Sequence, residues 1–161
     1  MNRYAGLNEN DFANGEGVCV SFFVQGCPHH CPGCFNPETW DFDGGQELPS
    51  DIRGHIIKAI CANNITRNFS VLGGEPLCPE NIEEVDQIIT GVRAVFPNIK
   101  IFVWTGYTIE QLKDRNDDIV NHVLSQIDFL IDGPYIEAER DLTLELRGSK
   151  NQRILCRNKD F

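Results

Sequence analysis

The sequence predicts an α/β protein with a mostly parallel sheet and flanking helices. Short runs rich in Val, Phe and Ile alternate with longer segments in which apolar residues recur at helical spacing. Glycine-rich turns follow these short runs, and no repeat or linker interrupts the 161 residues. Strands that alternate with helices are typical of βαβ units, so we expect a single domain over residues 1–161.

Four strands and four helices are expected in this order. The first strand, 18–25, is rich in Val and Phe and precedes a loop full of Cys, Pro and Gly. A helix is predicted where apolar residues recur at helical spacing after a capping residue or after Pro79. A strand is predicted where a short apolar run ends at a turn. The predicted helices are 52–62, 80–96, 108–114 and 117–125, and the other strands are 69–72, 100–104 and 127–131. A hairpin is expected in the tail, 142–156.

Composition narrows the class of partner and the compartment. Lys and Arg number 14 against 24 Asp and Glu, which gives a net charge of -10. This acidic balance argues against nucleic acid as the main partner, because phosphate binding requires clustered cations. No apolar run is long enough to span a bilayer, and the first residues have no apolar signal core. We therefore expect a cytoplasmic protein with no membrane partner.

Four turns are expected to meet at one edge of the sheet. Each follows a predicted strand, and ligands bind beyond the carboxyl ends of the strands in such sheets. These turns are polar and rich in glycine, and together they predict one composite site. They are the Cys loop at 26–37, Gly73-Gly74-Glu75-Pro76, Thr105-Gly106-Tyr107 and Asp132-Gly133-Pro134.

The Cys loop carries the strongest chemical signal. Cys27, Cys31 and Cys34 follow the spacing Cys-x-x-x-Cys-x-x-Cys, and the chain contains seven cysteines in all. In a reducing compartment such clustering indicates metal binding rather than disulfides. Thiolates are the ligands of iron–sulfur clusters. Three of them on one loop can hold three irons of a [4Fe–4S] cluster and leave the fourth open.

Zinc is the alternative that the spacing leaves open. The three cysteines with His29 or His30 could form a Cys3His site, which would make the chain a zinc-stabilised binding module without catalysis. His29 lies between the first two cysteines and is poorly placed to reach the same ion. His30 adjoins Cys31 and is no better placed, and we assign neither histidine a role.

The other cysteines are scattered. We interpret Cys19, Cys61 and Cys156 as buried small hydrophobic residues, because free cysteine usually packs in this way. Cys78 follows Gly-Gly-Glu-Pro-Leu closely and is expected near the site, with no assigned role.

The loop resembles the signature of the radical S-adenosylmethionine (SAM) superfamily, which has this three-Cys spacing. In that family the amino and carboxylate groups of SAM bind the open iron. Phe35 matches the aromatic residue that the family commonly places next to the adenine. The segment Gly73-Gly74-Glu75-Pro76 matches the family's segment at the methionine amino group. Glycine permits close approach of the ligand, and Glu75 adds an acceptor for an ammonium group.

Within this superfamily, the sequence is similar to the proteins that activate the anaerobic (class III) ribonucleotide reductase. The similarity extends over almost the whole chain and implies a radical SAM fold, either a compact partial (β/α) barrel or an open, mostly parallel sheet with helices. It rests on Asn14–Gly17, Cys31–Asn36 with Trp40, Trp104–Tyr107, Ile131–Tyr135 and Arg147–Arg153. The last block discriminates best, because a general SAM fold does not require it.

The resemblance implies a glycyl-radical activase. A donor such as a flavodoxin would reduce the cluster, and SAM would be cleaved to methionine and a 5′-deoxyadenosyl radical. This radical would take a hydrogen from one glycine Cα of the anaerobic ribonucleoside-triphosphate reductase. The cofactor carries the hard chemistry, so no protein acid or base is required. A radical SAM enzyme for a small molecule, of the deazapurine-forming type, is the alternative within the superfamily.

The resemblance also suggests roles for several residues, most of them outside the Cys loop and the Gly73–Pro76 segment. Thr105 and Asp132 lie where related activases bind a monovalent cation, although Trp104 replaces a carboxylate that is expected beside the Thr. Turn chemistry before Gly133 is an equal explanation for Asp132. Three roles are considered for Arg147 and Arg153: contacts to SAM, contacts to the reductase, and surface ion pairs. Asn36 is read as structural, and Trp40 is expected to pack the loop.

Overall fold

The computed structural model describes residues 1–161 and contains one seven-stranded sheet. The strands are β1 (Arg3–Asp11), β2 (Cys19–Val24), β3 (Gln46–Glu47), β4 (Asn68–Gly73), β5 (Ile101–Trp104), β6 (Phe129–Asp132) and β7 (Arg153–Cys156). The helices are α1 (Ile52–Ile60), α2 (Ile82–Val95), α3 (Ile109–Asp114) and α4 (Asp118–Gln126). None of them is both long and apolar enough to cross a membrane.

The sheet is mixed, with the order β3-β1-β2-β4-β5-β6-β7. The four central strands, β2, β4, β5 and β6, are parallel, as the alternating pattern predicts. The strands outside them pair antiparallel: β1 with β2 and β3, and β7 with β6. The expectation of a mostly parallel sheet is therefore met only in the centre, and the α/β class is confirmed.

The helices pack on one face of this sheet. Alternate strand residues such as Val20, Phe22 and Val24 point into a core that also contains Ile56 of α1 and Ile88 of α2. The apolar period of each helix therefore buries one stripe against the sheet. α2 contacts both α1 and α4, so these three helices form a continuous layer.

The opposite face of the sheet is covered by loops. The hydroxyl of Ser70 on β4 donates to the carbonyl of Asn14 at 2.6 Å. A side chain at Gly15 would meet the Cys19 sulfur and Phe102, so the 12–17 loop lies directly on the strands. This loop-covered face lies next to the carboxyl ends of the parallel strands.

The structure differs from the local predictions in the tail, at the first strand and at two cysteines. The tail contains a single strand, β7, which pairs with β6 rather than within the tail. Strand β1 was not predicted. Of the scattered cysteines, Cys19 is buried as predicted, but Cys61 is exposed and Cys156 is only partly buried.

Candidate active site

The four predicted turns meet at one cavity. It has a volume of about 150 Å³ and lies beyond the carboxyl ends of β2, β4, β5 and β6. The convergence that the strand pattern predicts is therefore confirmed. The residues that line the cavity include Cys27, His29, Cys31, Cys34, Trp40, Gly73, Gly74, Glu75, Trp104, Thr105, Gly106, Gly133 and Tyr135. A larger cavity of about 720 Å³ lies by the N-terminus and contains none of the loop cysteines.

The Cys loop is fastened to the segment that follows it. The amide of Gly26 donates to the carbonyl of Thr39 at 2.8 Å, and the amide of Cys27 donates to that of Trp40 at 3.1 Å. Within the loop, the amide of Cys34 donates to the carbonyl of Cys31 at 3.0 Å. These bonds fix both ends of the loop, so the three thiols enter the cavity from one preformed turn.

Burial favours the protonated form of two of these thiols. Desolvation is the main reason that the pKa of the Cys27 thiol is raised to about 11. A backbone hydrogen bond from His29 lowers this pKa but only partly offsets the effect of burial. Desolvation also raises the pKa of the Cys31 thiol. Activated cysteine nucleophiles have a depressed pKa, so these thiols do not fit that role. A bound metal centre would supply the positive charge that favours their thiolates.

The arrangement of donors fits an iron–sulfur cluster better than a single ion. No three His, Cys, Asp or Glu side chains converge closely enough to share one metal ion. A structural zinc requires four donors within about 2.3 Å of one point, whereas a cluster takes one thiolate at each of several irons. His29 is bonded to Glu75, and His30 stacks on Trp40 at 4.7 Å. Both histidines considered as zinc ligands are therefore engaged elsewhere.

Glu75 is the central brace of the site. Its side chain is 1% exposed. One carboxylate oxygen accepts hydrogen bonds from the amide of Leu77 at 2.9 Å and the hydroxyl of Thr105 at 2.7 Å. The other accepts from the amide of Gly106 at 2.6 Å and from Nε2 of His29 at 2.8 Å. Glu75 thus joins the Cys loop, its own turn and the turn after β5.

The two glycines before Glu75 allow close backbone contact with the Cys loop. Gly73 has a φ of 107°, which side chains rarely adopt. A Cβ at Gly74 would clash with the carbonyl oxygen of Gly26. The amide of Gly74 also donates to Val24 at 2.9 Å, so this approach is part of the sheet edge. Pro76 is buried directly after Glu75.

Replacing Gly74 with alanine is expected to destabilise the fold and distort the Cys loop. The added methyl group meets backbone rather than a flexible side chain, and such overpacking typically costs about 1–3 kcal/mol. Urea unfolding measures this cost. Gly54→Ala is the matched control, because nothing lies within 4 Å of its Cβ position. Equal stability of the two variants would contradict the proposed close approach.

Thr105 and Asp132 are held in different networks. Thr105 faces Glu75, and its hydroxyl also accepts the amide of Tyr107 at 3.1 Å. The carboxylate of Asp132 is fully buried and accepts from Nε of Arg153 at 3.0 Å and from the amide of Ile109 at 2.8 Å. Asp132 therefore positions Arg153 and the start of α3. A cation bound by both Thr105 and Asp132 would have to share this carboxylate with Arg153.

The Arg153 network predicts a pH dependence. Hydrogen bonding to the guanidinium of Arg153 lowers the pKa of Glu110 from its ordinary value of 4.5 to about 2. A depressed pKa stabilises the fold above pH 4.5, and this contribution is lost as the pH falls towards 2. Glu110 is exposed, so the effect is small. We expect Glu110→Gln to lower the unfolding midpoint at pH 7 slightly and to converge with the unaltered protein near pH 2.

If the urea midpoints of Glu110→Gln and the unaltered protein differed by the same amount from pH 7 to pH 2, this linkage would be contradicted. Urea midpoints at several pH values provide the measurement.

A second cavity of about 340 Å³ adjoins the first. Cys34, Trp104 and Tyr135 line both of them. Phe35 lies at this second cavity, is 51% exposed and contacts the ring of Tyr135 at a centroid distance of 4.9 Å. The Cys cavity therefore opens onto an aromatic cleft on the loop-covered face of the sheet.

Comparison with known proteins identifies the family. Residues 13–155 match the family model described as "4Fe-4S single cluster domain". The anaerobic ribonucleoside-triphosphate reductase-activating protein of Vibrio cholerae serotype O1 is 38% identical over 145 residues, which are 89% of this chain and 91% of that protein. The chain belongs to this activating-protein family. The protein of the same name from Escherichia coli K12 is 36% identical over 88% of this chain and 90% of its own length. That from Enterobacteria phage T4 is 37% identical over 89% of this chain and 87% of its own length.

The structure gives a physical role to the block Arg147–Arg153. The side-chain oxygen of Gln152 accepts the amides of Gly148 at 3.0 Å and Ser149 at 3.1 Å, which closes a tight turn. Its amide nitrogen donates to the carbonyl of Gly133 at 3.2 Å. This turn thereby holds the 133–134 segment beside the Cys cavity.

Two site residues were missed in the sequence. His29 braces Glu75 and packs edge-on against Tyr107 at 4.5 Å, although no role was assigned to it. Asn81 is 1% exposed, and its side-chain amide donates to the carbonyls of Glu75 at 2.9 Å and Gly26 at 3.3 Å. Its position at the start of a helix offers no signal of this bridge. Cys78 lies beneath the site, with its thiol 3.2 Å from the Glu75 carbonyl oxygen, and does not line the cavity.

Proposed function

We propose that this chain is a radical SAM glycyl-radical activase that acts on an anaerobic ribonucleoside-triphosphate reductase. The observation that carries the proposal is a single cavity lined by three free cysteines of one loop and by Gly73, Gly74 and Glu75. Membership of the activating-protein family supports the choice of partner. No feature of the site favours a small-molecule substrate of the deazapurine-forming type.

Cys27, Cys31 and Cys34 would hold the [4Fe–4S] cluster, and the remaining iron would be left for the amino and carboxylate groups of SAM. When bound, the cluster and SAM supply one-electron cleavage of a carbon–sulfur bond and the radical that removes the glycine hydrogen. The protein residues orient and enclose this chemistry. A hydrogen atom moves rather than a proton, so no side chain has to act as acid or base.

Each remaining site residue has a proposed binding role. Gly73 and Gly74 lie at the cavity with no side chain, which lets a ligand approach the backbone closely. Glu75 would present its negative charge to the ammonium group of SAM. Its donor His29 would then share the carboxylate or move aside. Pro76 would act as the buried turn residue that follows Glu75. Phe35, exposed at the mouth of the cleft, would contact the adenine.

Other parts of the proposal concern the surroundings. We propose a radical SAM-type fold in which residues 1–161 act as one domain, working in the cytoplasm with a donor such as a flavodoxin. Thr105 and Asp132 remain the predicted ligands of a monovalent cation. The ion would share the Asp132 carboxylate with the guanidinium of Arg153.

Electron paramagnetic resonance (EPR) tests the proposal directly. The protein, reconstituted with iron and sulfide without oxygen, is incubated with reductant, SAM and the reductase. We expect a glycyl radical on the reductase that depends on SAM. Cleavage of SAM without a glycyl radical would favour a small-molecule substrate. Protein purified without oxygen that contains about one zinc and no sulfide would end the radical SAM interpretation.

A further inference from the structure

The indole nitrogen of Trp40 is a buried donor without an acceptor. Trp40 lines the cavity together with Cys27, Cys31 and Cys34. Its Nε1 atom is inaccessible to solvent and has no hydrogen-bond partner. An indole N–H can only donate, and an unpaired donor in the interior is destabilising. Each such group in a native structure calls for an acceptor.

The indole is held firmly in this position. The carbonyl of Trp40 accepts the amide of Cys27 at 3.1 Å, which ties its backbone to the start of the Cys loop. The ring stacks on His30 with a centroid distance of 4.7 Å and an interplanar angle of 10°. Both contacts come from the Cys loop itself. The orientation of the N–H is therefore coupled to that of the thiols.

The neighbouring groups do not provide the acceptor. The four bonds of the Glu75 carboxylate come from Leu77, Thr105, Gly106 and His29. The other tryptophan of the cavity, Trp104, has its Nε1 satisfied by the carbonyl of Leu146 at 2.8 Å. The two tryptophans of this cavity therefore differ in whether the indole N–H has a partner. The acceptor is then expected to belong to the group that fills the cavity.

We propose that Trp40 donates its indole N–H to a sulfur of the iron–sulfur cluster and thereby raises the reduction potential of that cluster. This inference rests on the proposed function, because it requires a cluster in the cavity. Hydrogen bonds to the sulfurs are one of the means by which a protein sets the potential. A donor stabilises the reduced cluster more than the oxidised cluster, because the reduced cluster carries one more negative charge.

Trp40→Phe tests the proposal, with Trp104→Phe as the matched control. Both variants remove one indole from the same cavity, but only the first removes an unpaired N–H. The reconstituted proteins are titrated with a reductant at controlled potentials without SAM, and the reduced cluster is quantified by EPR. In Trp40→Phe we expect about a tenfold lower ratio of reduced to oxidised cluster at a fixed potential, equivalent to 59 mV for one electron. Trp104→Phe is expected to leave the ratio unchanged.

The outcomes separate this inference from the proposed function. A bound cluster with an unchanged ratio in Trp40→Phe would overturn the inference and leave the function intact. The same unchanged ratio with weaker SAM binding would assign the N–H to the SAM carboxylate, which also overturns it. Unaltered protein that binds no iron or sulfide would overturn the function first.

A second variant covers the case in which Trp40→Phe does not bind the cluster. In the Trp104→Phe background Trp40 is the single tryptophan of the chain, so it can be replaced during expression by benzothienylalanine. This analogue keeps the bicyclic shape and has sulfur in place of the N–H. The same fall in the reduced fraction supports the inference, and an unchanged fraction overturns it.

Discussion

Replacing Cys27, Cys31 or Cys34 with alanine is expected to remove most of the bound iron and sulfide and to abolish radical formation. Each residue would supply the single thiolate of one iron, and neither histidine of the loop is free to replace it. Groups that act as a unit fail together, so we expect activity to fall by at least about a thousandfold. Iron and sulfide analysis, the visible spectrum of the cluster and the EPR signal of the reductase provide the measurement.

Cys61→Ala is the matched control for these three variants. Cys61 is an exposed free cysteine at the end of α1, outside the cavity. We expect its iron content and activity to match those of the unaltered protein. Full iron content in Cys27→Ala, or loss of iron in Cys61→Ala, would be incompatible with the proposed set of ligands.

The parallel centre of the fold was predictable because its signal is local. Each central strand is a short apolar run that ends at a turn, and each helix carries an apolar stripe. Predicted 69–72 corresponds to β4 at Asn68–Gly73, and predicted 80–96 to α2 at Ile82–Val95. Most differences lie at the ends of the elements, where capping decides the boundary. Asp51, for example, precedes α1 without a side-chain capping bond.

The edge strands could not be predicted in this way. Strand β1 has the sequence RYAGLNEND, which is largely polar and lacks a clear alternation. It pairs with β2 through the backbone, and only Tyr4 and Leu7 of this strand pack against the hydrophobic core. Strand β7 pairs with β6, so its register depends on residues far away in the chain. The hairpin expected in the tail was wrong because no local pattern specifies such a partner.

The site was predictable as a place but not as a network. The rule that ligands bind beyond the carboxyl ends of parallel strands brought the four turns together correctly. The braces between them, such as His29 on Glu75 and Arg153 on Asp132, join residues that are distant in sequence. Side-chain hydrogen bonds between distant residues produce no periodic pattern in the sequence. The sequence alone therefore does not indicate a role for His29.

Glu75→Gln is expected to destabilise the protein strongly, even without a cluster. Its two carboxylate oxygens each accept a backbone amide, from Leu77 and from Gly106. Glutamine has one oxygen, so whichever way the amide turns, its NH2 group faces one of these N–H donors. Losing a charged hydrogen bond and leaving a buried donor unpaired costs about 3 kcal/mol. For a chain of this size that lowers the melting temperature by about 6–12 °C.

Unfolding in urea under reducing conditions, with cluster-free protein, measures this cost apart from any effect on the cofactor. Glu38→Gln is the control: Glu38 is exposed and close to the Cys loop, so the same chemical change is expected to alter stability by less than about 0.5 kcal/mol. Thr105→Val removes one of the four donors and is expected to cost about 1 kcal/mol. If Glu75→Gln were as mild as Glu38→Gln, the carboxylate would not be the brace that joins the three turns.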